Sequence, residues 1–285
     1  MKNQYKKYFI LLLLLVALFS SCEKDHDFTP YAENVSTTDA KLKFIHAAVG
    51  PNGSNFSINY LINYKKVSAV SVSSGLPIGF NYGFAYPLSI NYAFIQAGTQ
   101  TLKVVKPATT AIPETLVTSN TITTEPGKNY SSFLVGLSPD YSIFNINDDL
   151  SVSTINSTKA YIRFINLIAN TPAGGYDLGI IKTTAATTTS PEFKTEIKKF
   201  ESINFKGGSE VFIQLETIKE TENTPYEIQL RSAGTTTVVA TYTNGFLFRP
   251  GRIYTIFSRG YVGGLSNGLP SATANIPTVI IYINK

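Results

Sequence analysis

This 285-residue chain has one cysteine, no tryptophan, two histidines and only 15% charged residues. The single cysteine excludes a disulfide framework, because exported domains that use cysteine structurally normally carry it in pairs. Two histidines are too few for a histidine-rich metal site. No stretch after residue 22 shows convincing helical periodicity, and these deficits together argue against a helical or metal-centred protein.

The charge balance gives no reason to expect a nucleic-acid partner. The net charge is +5, but three of the lysines lie within the first 21 residues, so the rest of the chain is close to neutral. No basic run is interleaved with aromatic residues, as a nucleic-acid surface would require. We therefore expect no nucleic acid among the partners.

The N-terminus has the organisation of an export signal. A basic segment that contains no acid precedes an unbroken apolar run of eleven residues from Phe9 to Phe19. Such a run is too short to cross a hydrocarbon layer of roughly 30 Å as a helix. Small residues then lead to Cys22, which is typical of a secretory signal. We predict that residues 1–21 form a signal peptide.

The sequence around the cysteine resembles the lipobox of bacterial lipoproteins. It reads Phe-Ser-Ser-Cys22, with phenylalanine where leucine is usual. The resemblance implies cleavage before Cys22, lipidation of its sulfur and anchoring to a membrane by two or more acyl chains. The alternative is a plain secretory signal with an incidental cysteine.

Residues 22–39 are polar and are predicted to form a lipidated tether. The cluster Glu23-Lys24-Asp25-His26-Asp27 resembles the surface-export signal of Bacteroidetes-type lipoproteins. The alternative is a simple solvated linker, and the two interpretations are compatible. The resemblance predicts an outer-membrane protein that is lipid-anchored and displayed at the cell surface.

Beyond the tether the sequence favours strands and contains a repeat. Thr, Ser, Asn, Ile, Val, Tyr and Phe are abundant, a composition typical of β-sheet proteins. The segment 40–46 matches the segment 160–166 at an offset of 120 residues, with the same period-two pattern. We predict two domains, residues 40–153 and 158–285, joined by a short linker.

A second pair of matching segments suggests the fold. Each half contains the motif Pro-Gly-x-x-Tyr, ending at Tyr130 and at Tyr254. Pro and Gly favour a tight turn, and the tyrosine can fold back onto upstream backbone as the tyrosine corner of a Greek-key sandwich. The alternative is a generic turn before a core tyrosine. We predict an all-β protein of two tandem immunoglobulin-like Greek-key β-sandwich domains.

Short motifs in both halves resemble the domain-of-unknown-function family 4397. They are the opening strands at 40–47 and 160–167, the Ala-Gly-Thr turn at 97–99 and the closing segment at 147–151. Asn166 departs from the pattern, because the first half has His46 there. The resemblance implies two copies of an extracytoplasmic sandwich domain often found in lipoproteins, and it implies no established activity.

The polar candidates for chemistry have structural interpretations. His46 follows Leu42 and Phe44 at period two, so we expect an inward, neutral imidazole that bonds backbone near the strand end. Asp148 and Asp149 are adjacent, which disfavours joint action, and turn or linker duty is expected of them. We predict no catalytic residue, no metal site and no cofactor.

One aromatic segment is a candidate contact surface. Phe80, Tyr82, Phe84 and Tyr86 alternate with small residues, so on a single strand all four rings would line one face. Such a row can contact a sugar or a protein partner. The alternative is that the rings fill the core or the joint between the domains.

The function predicted from the sequence is that of a non-enzymatic cell-envelope lipoprotein that serves in binding, adhesion or structure. Its partners would be the membrane, through the lipid, and other envelope proteins or glycans. A second hypothesis is surface glycan binding for polysaccharide uptake, based on the aromatic row. A third is an unrecognised hydrolase, which would need two carboxylates facing each other across a cleft.

Overall fold

A computed structural model describes residues 38–285, apart from residues 69–70, 74–75, 89, 155, 185, 209 and 216–224. Cys22, the predicted signal peptide and almost all of the predicted tether lie outside the described residues. Ser36–Lys285 form one compact unit. In the part of the chain that the structure describes, no helix is long and apolar enough to span a membrane.

The described residues of the first half of the compact unit form twelve strands. They are β1 Asp39–His46, β2 Ser57–Ile62, β3 Lys65–Lys66, β4 Ser71–Ser73, β5 Leu76–Ile78, β6 Phe80–Asn81, β7 Ala85–Tyr86, β8 Ala93–Gln96, β9 Gly98–Lys106, β10 Thr115–Thr124, β11 Asn129–Leu137 and β12 Asp140–Asn147. A 3₁₀ turn, Pro51–Gly53, lies between β1 and β2, and a second, Leu150–Thr154, follows β12.

These strands build two facing sheets. Sheet I has the order β12-β11-β1-β7, and β8 also pairs with β1. Sheet II has the order β10-β9-β2-β3, and β6 also pairs with β2. Strands β4 and β5 form a small separate hairpin. The apolar residues of β1 that point inward, Leu42 and Phe44, pack with Tyr60 of β2 in the core between the two sheets.

The second half repeats this plan, with eight strands among its described residues. They are β13 Ala160–Asn166, β14 Tyr176–Thr184, β15 Phe193–Ile203, β16 Ile213–Leu215, β17 Tyr226–Ser232, β18 Val238–Phe246, β19 Ile253–Arg259 and β20 Thr278–Ile283. Sheet III has the order β16-β13-β19-β20, and sheet IV has the order β15-β14-β17-β18. Ile162, Leu178 and Ile228 lie in the core between these sheets.

The two halves share an unusual pairing. In each of them the first strand runs parallel to a later strand that begins at the Pro-Gly motif. Leu42 is opposite Tyr130 in the first half, and Ile162 is opposite Tyr254 in the second. The two tyrosines of the repeated motif therefore occupy the same place in the two sheets.

A third core joins the halves. Ile45 and Phe133 of sheet I pack with Ile165 and Phe257 of sheet III. Sheets I and III thus have apolar contacts on both faces, and the layer order is II-I-III-IV. This explains why β13 is buried along its whole length, whereas an ordinary sandwich strand would bury alternate residues.

The predicted all-β sandwich fold is confirmed, with the sheets arranged as two sandwiches in sequence. The predicted domain bounds, 40–153 and 158–285, stay a prediction, because contacts unite Ser36–Lys285 into one compact unit.

Candidate functional site

The aromatic segment does not lie on a single strand, so the condition under which its four rings would line one face is not met. Phe80 belongs to β6, which pairs with β2 of sheet II, while Tyr86 belongs to β7, which pairs with β1 of sheet I. Between them the chain turns at Gly83, whose φ is +86°. The segment therefore crosses from one sheet to the other, and the alternation of a strand is lost.

The four rings have different environments. Phe80 and Tyr86 are half-buried against the first core, with the ring of Phe80 stacked on Tyr60 at 6.0 Å. The Arg259 guanidinium lies over Tyr82, and its central carbon is 3.9 Å from the centroid of the tyrosine ring. Phe84 is 56% exposed. The alternative interpretation, in which the rings fill the core or the joint between the domains, therefore fits Phe80, Tyr82 and Tyr86. Of the four rings, only Phe84 has a large exposed surface.

Phe84 is part of an exposed apolar ridge, formed by Phe84, Ala85 and Leu88. Leu88 is 66% exposed. The ridge separates two clefts, to which all three residues contribute. The cleft on the side of sheet II has a volume of about 240 Å³ and is also lined by Ile78 and Phe80.

The second cleft lies where the two sandwiches meet. Its volume is about 280 Å³. Besides the ridge, Ile45, Gly83 and Phe257 line it, together with the consecutive residues Ile280–Ile283 of β20. We call it the junction cleft. Contiguous exposed apolar surface of this kind is typical of contact sites for other molecules.

His46 has the inward position that its sequence pattern predicts. Its side chain is fully buried, and Nε2 lies 3.0 Å from the carbonyl oxygen of Phe56. Burial lowers the pKa of His46 to about 3, and the nearby positive charge of Arg259 acts in the same direction. The imidazole is therefore neutral at physiological pH and bonds to backbone.

Asn166 occupies the equivalent place in the second half and is also fully buried. Its amide nitrogen donates to Ile203 O at 2.9 Å, and its amide oxygen accepts from Ile168 N at 3.1 Å and from the Ser258 hydroxyl at 2.7 Å. A polar residue at this position therefore fixes local backbone in both halves.

Turn or linker duty is expected of Asp148 from the sequence, and its backbone does lie between β12 and the 3₁₀ turn Leu150–Thr154, but its side chain is buried. Asp148 is 1% exposed and forms an ion pair with Arg163, which is 0% exposed. Its carboxylate also accepts hydrogen bonds from the hydroxyls of Ser131 at 2.6 Å and Tyr92 at 2.8 Å. The group is buried because Arg163 lies on the face of sheet III that is turned toward sheet I.

Lys43 is the first-half equivalent of Arg163, and it too is buried. Its ammonium donates to the carbonyl oxygen of Asn91 at 2.8 Å and lies 4.9 Å from the Tyr92 ring centroid. Burial lowers the pKa of Lys43 to about 8, while the charge of Asp148 acts in the opposite direction. One carboxylate thus lies between two buried cations.

Asp149 behaves as a turn residue. It is adjacent to Asp148, yet its side chain points to solvent and its Oδ1 accepts from Ser151 N at 3.0 Å. The hydrogen bonds from Ser151 hold its pKa below the usual value. The two aspartates therefore act independently.

The two motif tyrosines make the hydrogen bond that a tyrosine corner requires. Glu125 N donates to the Tyr130 hydroxyl at 3.0 Å, and Arg249 N donates to the Tyr254 hydroxyl at 2.8 Å. In both cases the donor lies five residues upstream of the tyrosine. Each hydrogen bond links its tyrosine to the turn that enters the parallel strand, and the tyrosine-corner role of the two residues stays a prediction.

Sequence reasoning missed Lys43, Arg163, Arg259 and Leu88. A usable signal existed for the first two, because each is a basic residue within an otherwise apolar strand. None existed for Arg259 and Leu88, because only the fold brings them to the junction of the sandwiches.

Residues 40–173 match the family model of the domain of unknown function DUF4397. The match starts at the beginning of β1, covers the first sandwich and ends after β13. The second copy that the sequence predicts lies mostly outside it and stays a prediction. No curated protein matches the chain.

Several solved structures are similar to this chain. One is a proposed cell adhesion protein from Bacteroides fragilis, with 10% identity and a TM-score of 0.22 over 86% of this chain and 98% of that one. Another is a proposed cell adhesion protein from Bacteroides eggerthii, with 12% identity and a TM-score of 0.23 over 88% and 97%. At these scores the similarity carries no weight for the function.

Proposed function

We propose that this protein is a non-catalytic lipoprotein of the cell envelope, anchored through Cys22 and displayed at the outer surface, where it binds another envelope protein. The observation that carries the binding role is the exposed ridge of Phe84 and Leu88 between two apolar clefts. Phe84 and Leu88 are 56% and 66% exposed, and such contiguous apolar surface is costly unless it is covered by a partner.

The buried polar groups support a non-catalytic role. His46, Asp148 and Arg163 are used in hydrogen bonds and an ion pair that hold strands and sheets together. Their environments are closed to solvent, since each side chain is at most 1% exposed. We propose that the second half is a diverged copy of the first and that both serve as scaffold.

Glycan binding receives no specific support from the geometry. That hypothesis is based on the aromatic row, whereas Phe80 and Tyr86 are half-buried and Tyr82 is covered by Arg259. We therefore propose a protein partner.

Site-specific photo-crosslinking on intact cells tests the binding role. A photoreactive residue placed at Phe84 should give one discrete crosslinked product. The matched control is Phe193, which is 53% exposed on β15 of the second sandwich. Equal labelling patterns at the two positions, or none at Phe84, would contradict the proposal.

The lipid anchor and the cell-surface location are tested by separate experiments. Labelling with an alkyne palmitate analogue should mark the wild-type protein and not Cys22→Ala. Protease added to intact cells should remove the protein if it is displayed outside. Label retained on the variant would refute the anchor, and full protection from protease would refute surface display.

A further inference from the structure

β20 is a regular edge strand. In sheet III it pairs with β19 alone among the described strands, and the register runs without a shift from Tyr254 opposite Ile283 to Arg259 opposite Thr278. Its sequence, Thr-Val-Ile-Ile-Tyr-Ile, has no charged residue. A long, regular, apolar edge is a template for pairing with another strand.

The ladder geometry shows which backbone groups are turned outward. Leu167 N, just past the end of β13, donates to Ser258 O, so Ser258 directs its backbone toward β13. Its neighbour Phe257 therefore directs its backbone toward β20, where Ile280 lies opposite. Alternation then turns the N–H and C=O groups of three residues away from β19, namely Val279, Ile281 and Ile283.

The edges of sheets II and IV carry features that discourage pairing. β15 contains Lys194, Glu196 and Lys198 and has two register shifts against β14. β10 and β18 each contain register shifts, and β3 consists of two lysines. Charges and bulges are the usual protection of edges, and β20 has neither.

The junction cleft lies against this edge. Ile280 and Tyr282 of β20 line it on one side, and Phe84 and Leu88 line it on the other. A strand added to β20 would thus lay every second side chain against apolar residues of the ridge.

One uncompensated charge lies at the end of β20. Arg259 is opposite Thr278, and it forms no ion pair with any carboxylate among the described residues. Its Nε is buried and has no hydrogen-bond partner in the part of the chain that the structure describes. A Cβ at Gly83 would lie 2.7 Å from Arg259 Nη2, so the glycine is what leaves room for the guanidinium.

We propose that the β20 edge and the junction cleft form a strand-addition site for an extended segment of a partner protein. The segment has apolar residues at alternate positions and a carboxylate beside Arg259. This inference rests on the proposed binding function and specifies how the partner is held. Main-chain hydrogen bonds supply the pairing, the cleft selects apolar side chains and Arg259 fixes the register.

Charge also argues against a second copy of this chain as the occupant. Antiparallel pairing of two β20 strands about a two-fold axis would bring Arg259 of one copy toward the C-terminal end of the other strand. That end carries Lys285, and residues 270–285 include no acidic side chain. The like charges disfavour self-pairing, whereas an acidic segment is attracted.

Hydrogen exchange on the full-length chain in detergent tests the mode of binding. The probe is a synthetic ten-residue peptide in which threonine alternates with isoleucine and the end residue is glutamate. We expect it to slow exchange in the segment that contains β20 and to leave β12 and β15 unchanged. The control peptide carries N-methyl groups on alternate amides, which removes donors that pairing needs and keeps the side chains.

The role of Arg259 is tested from both sides. Replacing the end glutamate of the peptide with glutamine should weaken binding about tenfold, as should Arg259→Gln, and the two changes together should add little. The matched variant Arg252→Gln removes an exposed charge at the start of β19 and should leave binding unchanged. The peptide change needs no mutation of the protein, so its effect on binding can be measured even if the Arg259→Gln variant misfolds.

The outcomes separate this inference from the proposed function. No protection of β20, equal protection by the N-methylated peptide, protection at another edge, or equal binding of the glutamine peptide would each overturn strand addition at this site. The crosslinking experiment at Phe84 on cells would still test the proposed function independently of these outcomes. Protection of β20 by the peptide combined with an absent crosslink on cells would keep the site and reject the envelope-protein role.

Discussion

The inner strands β1 and β13 occupy equivalent places in the two sandwiches, yet they carry different polar residues. Both strands are parallel to the strand that follows a Pro-Gly turn, and both contribute to the core between the sandwiches. Lys43 of β1 corresponds to Arg163 of β13, and His46 corresponds to Asn166. The strand pairing is thus the same in the two sandwiches, while the polar residues that join the sheets differ.

The two residues of each equivalent pair differ in the partners that stabilise them. Arg163 has the ion pair with Asp148, while Lys43 relies on backbone carbonyls and aromatic rings. Asn166 satisfies its own amide group fully with neutral partners, while His46 leaves Nδ1 without a partner among the described residues. Four predictions test this difference between the two sandwiches.

The largest effect is expected for Asp148→Ala. It leaves Arg163 and Lys43 buried without their carboxylate, and breaking a buried pair in this way costs about 3–5 kcal/mol of the free energy of unfolding. Denaturant titration measures it. Asp149→Ala, one residue away and exposed, should cost less than about 0.5 kcal/mol. Similar losses for the two variants would mean that the buried pair contributes nothing particular.

The second effect concerns acid. The pKa of His46 is lowered to about 3 in the folded state, so the unfolded chain binds a proton first as the pH falls below about 6.5. Stability should therefore decrease as the pH falls, by about 2 kcal/mol between pH 6.5 and 4.5 from this group.

His46→Asn copies the residue of the second sandwich and tests that source of the acid effect. Denaturation at several pH values should give a slope that is shallower in the variant than in the wild type. The matched change Asn166→His should steepen it instead. An unchanged slope in His46→Asn would show that the acid sensitivity has another origin.

A third effect is expected in base. The pKa of Lys43 is lowered to about 8, so between pH 8 and 10.5 the unfolded chain holds a proton that the folded chain has lost. Stability should rise by about 2 kcal/mol from pH 7 to 9.5. Lys43→Met, which keeps the length and removes the charge, should abolish the rise. Thermal unfolding over this range decides it, and an equal rise in the variant would contradict the assignment.

The smallest effect is expected at the corner tyrosines. Tyr254→Phe and Tyr130→Phe each remove the acceptor for one upstream N–H, at a cost of about 1 kcal/mol. Tyr254 is 1% exposed and Tyr130 is 8% exposed, so the second-half variant should lose more. Tyr64→Phe, at a position 76% exposed, is the control. Stability unchanged in both corner variants would leave these tyrosines a packing role only.

Much of the fold could be predicted from local patterns. Period-two apolar residues identified β1 and β13 as strands, and the repeated Pro-Gly-x-x-Tyr located two equivalent turns. The candidate site could be predicted less well from the sequence. Phe80 to Tyr86 reads as one alternating strand, but the chain turns at Gly83 because its two ends pair with different sheets.

The sequence by itself determined the all-β class, the internal repeat and the inward positions of Leu42, Phe44 and His46, because each depends on residues close together in the chain. Only the tertiary structure decided that sheets I and III are covered on both faces. Alternation assigns side chains to two faces but cannot say what covers the second one. For that reason the side chain of Asp148, for which the local pattern predicts turn or linker duty, lies inside the protein between Lys43 and Arg163, and Phe84 lies outside it beside the edge strand β20.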